Sequence, residues 1–244
     1  MRTIKLTVVY VGTNYRGFQK QPCGGTIQDV LEEFLSQVCG EPVEVAASGR
    51  TDAGVHALGQ VVSFKTNGTI PCKNLLRVAV SLLPRDIAIL EAEEMPDGFH
   101  ARFSSHSKEY EYWIFNDKGP DPFLADRAWI VSENLDVERM NEAAKFIIGE
   151  HDFRAFCSTG SDAVSSVRTV DLAQFERKGK FIYFHIQANG FLYHMVRNLV
   201  WSLAQVGMGK RAVADFEKEL QSQRTEFLNS PAPAEGLYLK KVNY

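Results

Sequence analysis

Val43-Glu44-Val45-Ala46-Ala47-Ser48-Gly49-Arg50-Thr51-Asp52-Ala53-Gly54-Val55-His56-Ala57-Leu58-Gly59-Gln60-Val61-Val62-Ser63-Phe64 sets two β-forming runs on either side of a loop dense in glycine and hydrogen-bonding side chains. The flanks predict strands around 43–47 and 59–65, so the intervening loop carries Asp52 on a turn anchored at both ends in a sheet. Gly49 and Gly54 lack the Cβ atoms that would hold a substrate off the backbone, and either can take positive φ. The Thr51-Asp52-Ala53-Gly54 run equally suits a plain turn in which Asp52 accepts local backbone hydrogen bonds. Spacing alone leaves active-site loop and structural turn level.

The surrounding elements extend the pattern. Ile4 to Tyr10 alternates and is rich in β formers, which predicts a strand, and the glycine-rich stretch Val11 to Gly25 reads as a loop. A helix follows: Thr26 can cap it, Asp29 sits three residues on, and Ile27, Val30, Leu31, Phe34, Leu35 and Val38 recur at helical spacing. A second helix is expected from about Lys73 to Leu83, before Pro84, and a short strand at Ile87–Leu90. The order strand, helix, strand, strand, helix, strand is that of a ferredoxin-like unit.

The second half repeats the theme without visible sequence repetition. Strands are expected near 108–116, 127–131, 167–176 and 180–188, helices near 136–148 and 190–207, and a closing strand over 236–242. The domain change is placed near Phe103, giving an N-terminal α/β domain over 1–103 and a C-terminal one over 104–244. The fold class is thus α+β, with two ferredoxin-like (RRM-like) units.

With 244 residues, 45% of them hydrophobic, the chain can bury a substantial core. A net charge of −3 does not suit a generic nucleic-acid binder. Local fields can override the total, and Arg16, Lys20, Arg50, Arg102, Lys108, Arg154, Arg168 and Arg197 supply candidate basic patches. Cys23, Cys39, Cys72 and Cys157 form no CxxC pair and no zinc-ligand cluster, so no metal is expected. Their wide spacing, with no secretory leader, points to reduced thiols in the cytoplasm. No apolar stretch reaches the roughly 18 residues that would suggest a membrane span, and no glycine run follows a P-loop or dinucleotide pattern, so no nucleotide cofactor is expected.

The run from Gly49 to Phe64 resembles the catalytic motif of the tRNA pseudouridine synthase A family. The resemblance extends in the family's order through Tyr15–Gln21, Phe99–Phe103, Lys108–Tyr112, Phe191–Asn198 and Ala234–Leu239. It implies the pseudouridine synthase fold, in which the two units merge into one mostly antiparallel sheet with a central active-site cleft. It also implies a cofactor-independent isomerase acting on uridines of the tRNA anticodon stem–loop, at family positions 38, 39 and 40, as a homodimer. The nucleophile maps onto Asp52, its cationic partner onto Arg197 and the active-site tyrosine onto Tyr110.

Physical chemistry gives each of these residues a role and an ordinary alternative. A carboxylate is nucleophilic at neutral pH and can later leave, and in a closed pocket it needs a cationic partner or several donors to stay ionised. By base rates alone Arg197 is an exposed helix arginine. Alternation in Lys108-Glu109-Tyr110-Glu111-Tyr112 sends both tyrosines to one face of a strand. Tyr110 could stack on the target uracil and take part in proton transfer at C5, while Tyr112 is read as core. Leu237 is an apolar wall for the base or simply core. Arg50 is close enough to Asp52 to help extrude the base and fill its space. Thr51, His56, Gln60, Arg16 and Lys20 complete the substrate-binding set; His56 contacts phosphate or caps the loop, and Gln60 hydrogen-bonds the loop.

Val11, Phe18 and Ser63 depart from residues common in the family, where aspartate, tryptophan and histidine are frequent, which bears on RNA contacts rather than on the reaction. Two other functions compete. A non-catalytic RNA-binding protein with two RRM-like units would stack bases on aromatic strand residues, and a small-molecule hydrolase would use Asp52 without any matching acid–base dyad.

Overall fold

The computed structural model describes residues 1–119, 121–160, 163–222 and 230–244, and divides into two compact units: Met1–His106 with Tyr238–Tyr244, and Ser107–Leu237. In the first unit, strand β1 (Arg2–Tyr10) is followed by helix α1 (Ile27–Cys39), strands β2 (Ala46–Ala47) and β3 (His56–Thr66), helix α2 (Cys72–Leu82) and strand β4 (Ile87–Met95). β1 lies between β3 and β4, antiparallel to both, and β2 pairs antiparallel with β3. The resulting order β4-β1-β3-β2 is the ferredoxin-like arrangement that the element order predicts. Alternation along β1 buries Ile4, Leu6, Val8 and Tyr10, and Leu31 and Leu35 of α1 and Leu75 and Ala79 of α2 are buried as well. Thr26 caps α1 through a reciprocal box: its hydroxyl accepts from Asp29 N, and Asp29 Oδ2 accepts from Thr26 N at 3.1 Å.

Several boundaries differ from the sequence expectation. The strand expected over 43–47 shrinks to Ala46–Ala47 because α1 side chains take the backbone groups before it: Val43 N donates to Ser36 Oγ at 2.9 Å and Val45 N to Glu32 Oε1 at 3.1 Å. β3 begins at His56 rather than 59, since the closing strand β10 (Leu237–Asn243) runs parallel to its first residues, Tyr238 opposite His56 and Leu239 opposite Ala57. β4 continues past Leu90 to Met95 through a glutamate-rich run. It is an edge strand whose carboxylates meet Arg2 at 2.8 Å and Lys5 at 2.5 Å across β1.

In the second unit, β5 (Ser107–Asn116) is followed by β6 (Trp129–Val131), α3 (Val137–Ala144), β7 (Gly149–Asp152), β8 (Val167–Lys178), β9 (Phe181–Ala188), α4 (Met195–Gly207) and α5 (Val213–Ser222). β5, β9, β8 and β7 are successive antiparallel neighbours, and β6 pairs parallel with β5. α3 crosses α4 where Gly207 leaves room: a Cβ there would stand 2.6 Å from Met140 Sδ. Two elements escape the sequence reading. β7, with sequence Gly-Glu-His-Asp, is a polar edge strand with no hydrophobic signature, and α5 follows an unremarked turn after α4 yet buries Phe216 and Leu220. α4 starts at Met195, not near 190, because His194 sits at its N-cap in a left-handed conformation, φ 60°.

The C-terminal residues group with the first unit rather than the second. His106 N donates to Asn243 O at 2.8 Å and Tyr244 Oη to Ala101 O at 2.7 Å, so the chain end returns to the N-terminal sheet. The α+β class and the mostly antiparallel pairing agree with the sequence reading. All four cysteines are free thiols, and among the described residues no helix is long and apolar enough to cross a membrane.

Candidate active site

Asp52 is half-buried at the start of a tight turn: Val55 N donates to Asp52 O at 3.1 Å and Gly54 has φ 81°. That positive φ at the third position is what a type II turn demands, so Gly54 is fixed by backbone sterics. A second layer of constraint comes from the loop after β1. Gly17, φ 86°, packs against the turn so closely that a Cβ would lie 2.8 Å from Thr51 O and 3.2 Å from Ala53 N, and Phe18 N donates to Thr51 O at 3.0 Å. A Cβ on Gly12 would collide with the Val55 carbonyl, and Gly12 N donates to His56 Nδ1 at 3.0 Å. With Nδ1 accepting, the neutral His56 ring carries its proton on Nε2.

Beneath the turn lies a buried polar cluster. Tyr10 Oη and Thr51 Oγ1 are 2.7 Å apart, Ser48 Oγ donates to Gln60 Oε1 at 2.7 Å, and Gln60 Nε2 donates to Gly49 O at 2.9 Å. Burial pushes the Tyr10 hydroxyl up to about 12, against the smaller opposing effect of its bonds to Thr51 and Gln60. Buried polar groups persist when hydrogen-bonded, and here each bond fixes the path of residues 48–52.

The expected substrate contacts of the first unit therefore separate into two sets. Arg50, Arg16 and Lys20 are exposed on the Asp52 loop and the neighbouring 11–25 loop; Lys20 reaches Glu32 at 3.0 Å, and that bond raises its pKa. Gln60, His56 and Thr51 are 0%, 1% and 7% exposed, so their side chains face the interior. His56 packs against Tyr238 in a tilted ring contact with centroids 4.7 Å apart. Phe18 and Ser63 are buried as well, Ser63 Oγ accepting from Ala101 N at 3.0 Å.

In the second unit, Tyr110 and Tyr112 share a face of β5, as alternation predicts. Tyr110 meets Phe191 edge-on at 5.0 Å. Tyr112 is fully buried; its hydroxyl donates to Pro233 O at 2.7 Å, and burial holds that hydroxyl well above the usual phenol range. The opposite face is polar, with Glu111 taking Trp113 Nε1 at 2.6 Å and His185 Nδ1 at 3.0 Å. Arg197, in the first turn of α4, is half-buried rather than a solvated surface arginine, and its Nε donates to Ala232 O at 2.7 Å. Gly236 lies under Tyr112, where a Cβ would come within 2.5 Å of Cζ.

The strap before β10 is thus tied to Tyr112 and Arg197 at once, which sets the position of Leu237, 5% exposed. Sequence reasoning counted Tyr15–Gln21 and Ala234–Leu239 among the motif matches but gave no role to the strap, to Gly17, or to Tyr10 and Gly12. The available signals were the glycines of the 11–25 loop and the second tyrosine of the Glu-Tyr-Glu-Tyr alternation. Among the described residues no cluster of His, Cys, Asp and Glu is placed to hold a metal ion.

Comparison with known proteins agrees with the resemblance seen in the motifs. A family model described as tRNA pseudouridine synthase matches residues 6–104 and 143–244. Proteins of Acetivibrio thermocellus and Thermoanaerobacter pseudethanolicus named tRNA pseudouridine synthase A are each 43% identical to this chain over 244 residues, covering 100% of both partners. A Clostridium perfringens protein named tRNA pseudouridine synthase A 2 is likewise 43% identical with 100% coverage of both chains. The chain belongs to the tRNA pseudouridine synthase family, and so is an isomerase that acts on tRNA.

Proposed function

We propose that this protein converts uridine to pseudouridine in the anticodon stem–loop of tRNA, at family positions 38, 39 and 40, with Asp52 as nucleophile. The reaction breaks the bond from ribose to uracil N1, turns the detached base and rejoins it through C5, so the enzyme must hold both fragments. The observation that carries this reading is the construction of the Asp52 turn. A turn that only reverses the chain needs its own glycine; this one is also pressed from outside by Gly12 and Gly17 and held from below by Tyr10, Ser48 and Gln60. Such over-determination of a half-buried carboxylate suits a nucleophile that must meet its substrate in one geometry.

In this reading the 1–103 domain carries the nucleophile and the 104–244 domain completes a cleft with Arg197, Tyr110 and Leu237. Arg197 pairs with Asp52 and keeps it ionised. Tyr110 stacks on the uracil and takes part in removing the C5 proton, and Leu237 walls the base on its apolar side. Arg50 fills the space of the extruded base, offsetting an unstacking cost of a few kcal/mol, while Arg16 and Lys20 meet phosphates. Thr51, His56 and Gln60 act from behind by fixing the loop. The family resemblance further supports a cytoplasmic homodimer with RNA sites built from two subunits.

The test is direct: unmodified tRNA is incubated with the protein and pseudouridine is mapped by a base-specific chemical readout. The wild type should modify the 38–40 segment, and Asp52→Asn should bind the same tRNA without converting it. Turnover by Asp52→Asn would refute the nucleophile; wild-type binding without conversion would mark an RNA-binding protein instead.

A further inference from the structure

At one end of the second unit's sheet the start of β5, the end of β9 and the start of β8 lie side by side, Lys108 opposite Ala188 and Ala188 opposite Val170. A cavity of about 300 Å³ opens there, lined by Lys108, Arg168, Asn189, Gly190 and Phe191. Both charged residues of the lining are cationic. Arg168 is held in a fixed orientation: its Nη1 donates to Ser165 O at 2.8 Å and to Val167 O at 2.6 Å. Its stem lies over Gly190, where a Cβ would stand 3.4 Å from Nε.

No carboxylate among the described residues pairs with Arg168, and partial burial pulls its pKa down. A partly desolvated guanidinium whose partners among the described residues are backbone carbonyls gains from an anion that reaches it. Asn189 Oδ1 accepts from Thr169 N at 3.0 Å, which leaves the amide NH2 as the donor end of that side chain. A planar guanidinium, an ammonium and an amide donor around one hollow suit a tetrahedral oxyanion. The fifth lining residue, Phe191, packs edge-on against Tyr110, so the hollow and the base-stacking tyrosine are joined through one ring.

We propose that this cavity binds a backbone phosphodiester of the RNA strand next to the target uridine, with Arg168 as the phosphate fork. The inference rests on the reading that Tyr110 receives the uracil, and it assigns the neighbouring phosphate to a site that none of the motif residues Asp52, Tyr110 and Arg197 supplies. Its source is the substrate strand rather than free phosphate, because the hollow adjoins the tyrosine that the strand must reach.

The experiment measures binding of unmodified tRNA between 50 and 200 mM salt for wild type, Arg168→Gln and Arg168→Lys. Losing one phosphate contact lowers the log–log salt slope by about 0.7–0.9, so across this range the wild type loses about threefold more affinity than Arg168→Gln. Arg168→Lys keeps the slope but binds more weakly, having charge without the fork. As a second measurement independent of any variant's folding, anticodon stem–loops carrying one neutral methylphosphonate at a time are titrated against wild type. One position flanking the target should weaken binding, and that substitution should cost Arg168→Gln nothing further.

Equal salt slopes for wild type and Arg168→Gln overturn the proposal, as does a methylphosphonate series with no sensitive position beside the target. If inorganic phosphate raises the wild-type Tm but not that of Arg168→Gln, while the tRNA slopes stay equal, the cavity takes free phosphate and the RNA assignment falls. Wild-type protein that binds no tRNA would strike the functional reading itself. Conversion by Asp52→Asn, with the Arg168 slope change intact, would remove the nucleophile and leave the phosphate site standing.

Discussion

Replacing Gly17 with alanine tests whether the loop after β1 positions the nucleophile. The native φ of 86° lies in the left-handed region, which costs an L-residue roughly 1–2 kcal/mol. About 0.4–1 kcal/mol of that is offset because alanine restricts the unfolded chain. The contact adds more. The new Cβ would stand 2.8 Å from Thr51 O where ordinary contact begins at 3.4 Å, so one partner must retreat by ~0.6 Å. Thr51 O cannot move alone, since it accepts from Phe18 N at 3.0 Å, and losing that bond costs about 1 kcal/mol.

The net destabilisation is about 1–2.6 kcal/mol, and at 2–4 °C per kcal/mol for a chain of this size Tm falls by roughly 2–10 °C. Because the displaced peptide is that of Thr51 and Asp52, the chemical step should suffer more than binding. A misplacement of 1 Å can cost about 100-fold, so a loss of at least about tenfold is expected in single-turnover pseudouridine formation at saturating tRNA, with affinity changed by less than about threefold. Gly98→Ala is the control: Gly98 has φ 97° but nothing within 4 Å of a new Cβ, so it should lose stability without losing rate. A Gly17→Ala protein with wild-type Tm and turnover, or one that behaves like Gly98→Ala, would refute the positioning argument.

Two further outcomes are expected. Tyr110→Phe should bind tRNA normally and stall at removal of the C5 proton, whereas Tyr110→Leu should lose stacking as well, at roughly 1–3 kcal/mol per base; full single-turnover activity of the Phe variant would remove the proton-transfer role, and full activity of the Leu variant would take Tyr110 out of the site. For Tyr10, the ordinary value of 10.0 rises to about 12 in the fold, so between those values the unfolded chain has released a proton that the folded chain retains. Stability must then fall as pH rises, by up to about 1.4 kcal/mol per pH unit from this group. In urea unfolding from pH 9 to 11.5, Tyr10→Phe should show a slope shallower by one proton, and an unchanged slope would mean that Tyr10 ionises freely in the fold.

Local chemistry made much of this protein legible in its sequence. The alternation of Ile4 to Tyr10, the Thr26–Asp29 box and the helical spacing through Val38 each act over a few residues, so the first ferredoxin-like unit follows from pattern alone. The Gly-Arg-Thr-Asp-Ala-Gly run was conspicuous for the same reason, since its glycines and polar side chains stand together in the chain. What the sequence concealed was decided by partners far away along it. β2 is short because Ser36 and Glu32 of α1 take the backbone groups of Val43 and Val45, and β3 begins early because residues near 238 lie beside His56. β7 is a strand only because β8 offers it an edge.

The same division runs through the site. Sequence picked out Asp52, Tyr110 and Arg197, and within the substrate-binding set it left His56 between phosphate contact and loop cap and gave Gln60 a bond to the loop; tertiary packing adds that both side chains are buried. Arg168 was one basic residue among many until its strand brought it beside Asn189 and Phe191. Periodicity reports which face of an element is apolar. Which backbone group, void or cation meets that face is set by chain segments tens to hundreds of residues away, and only the folded chain brings them within reach.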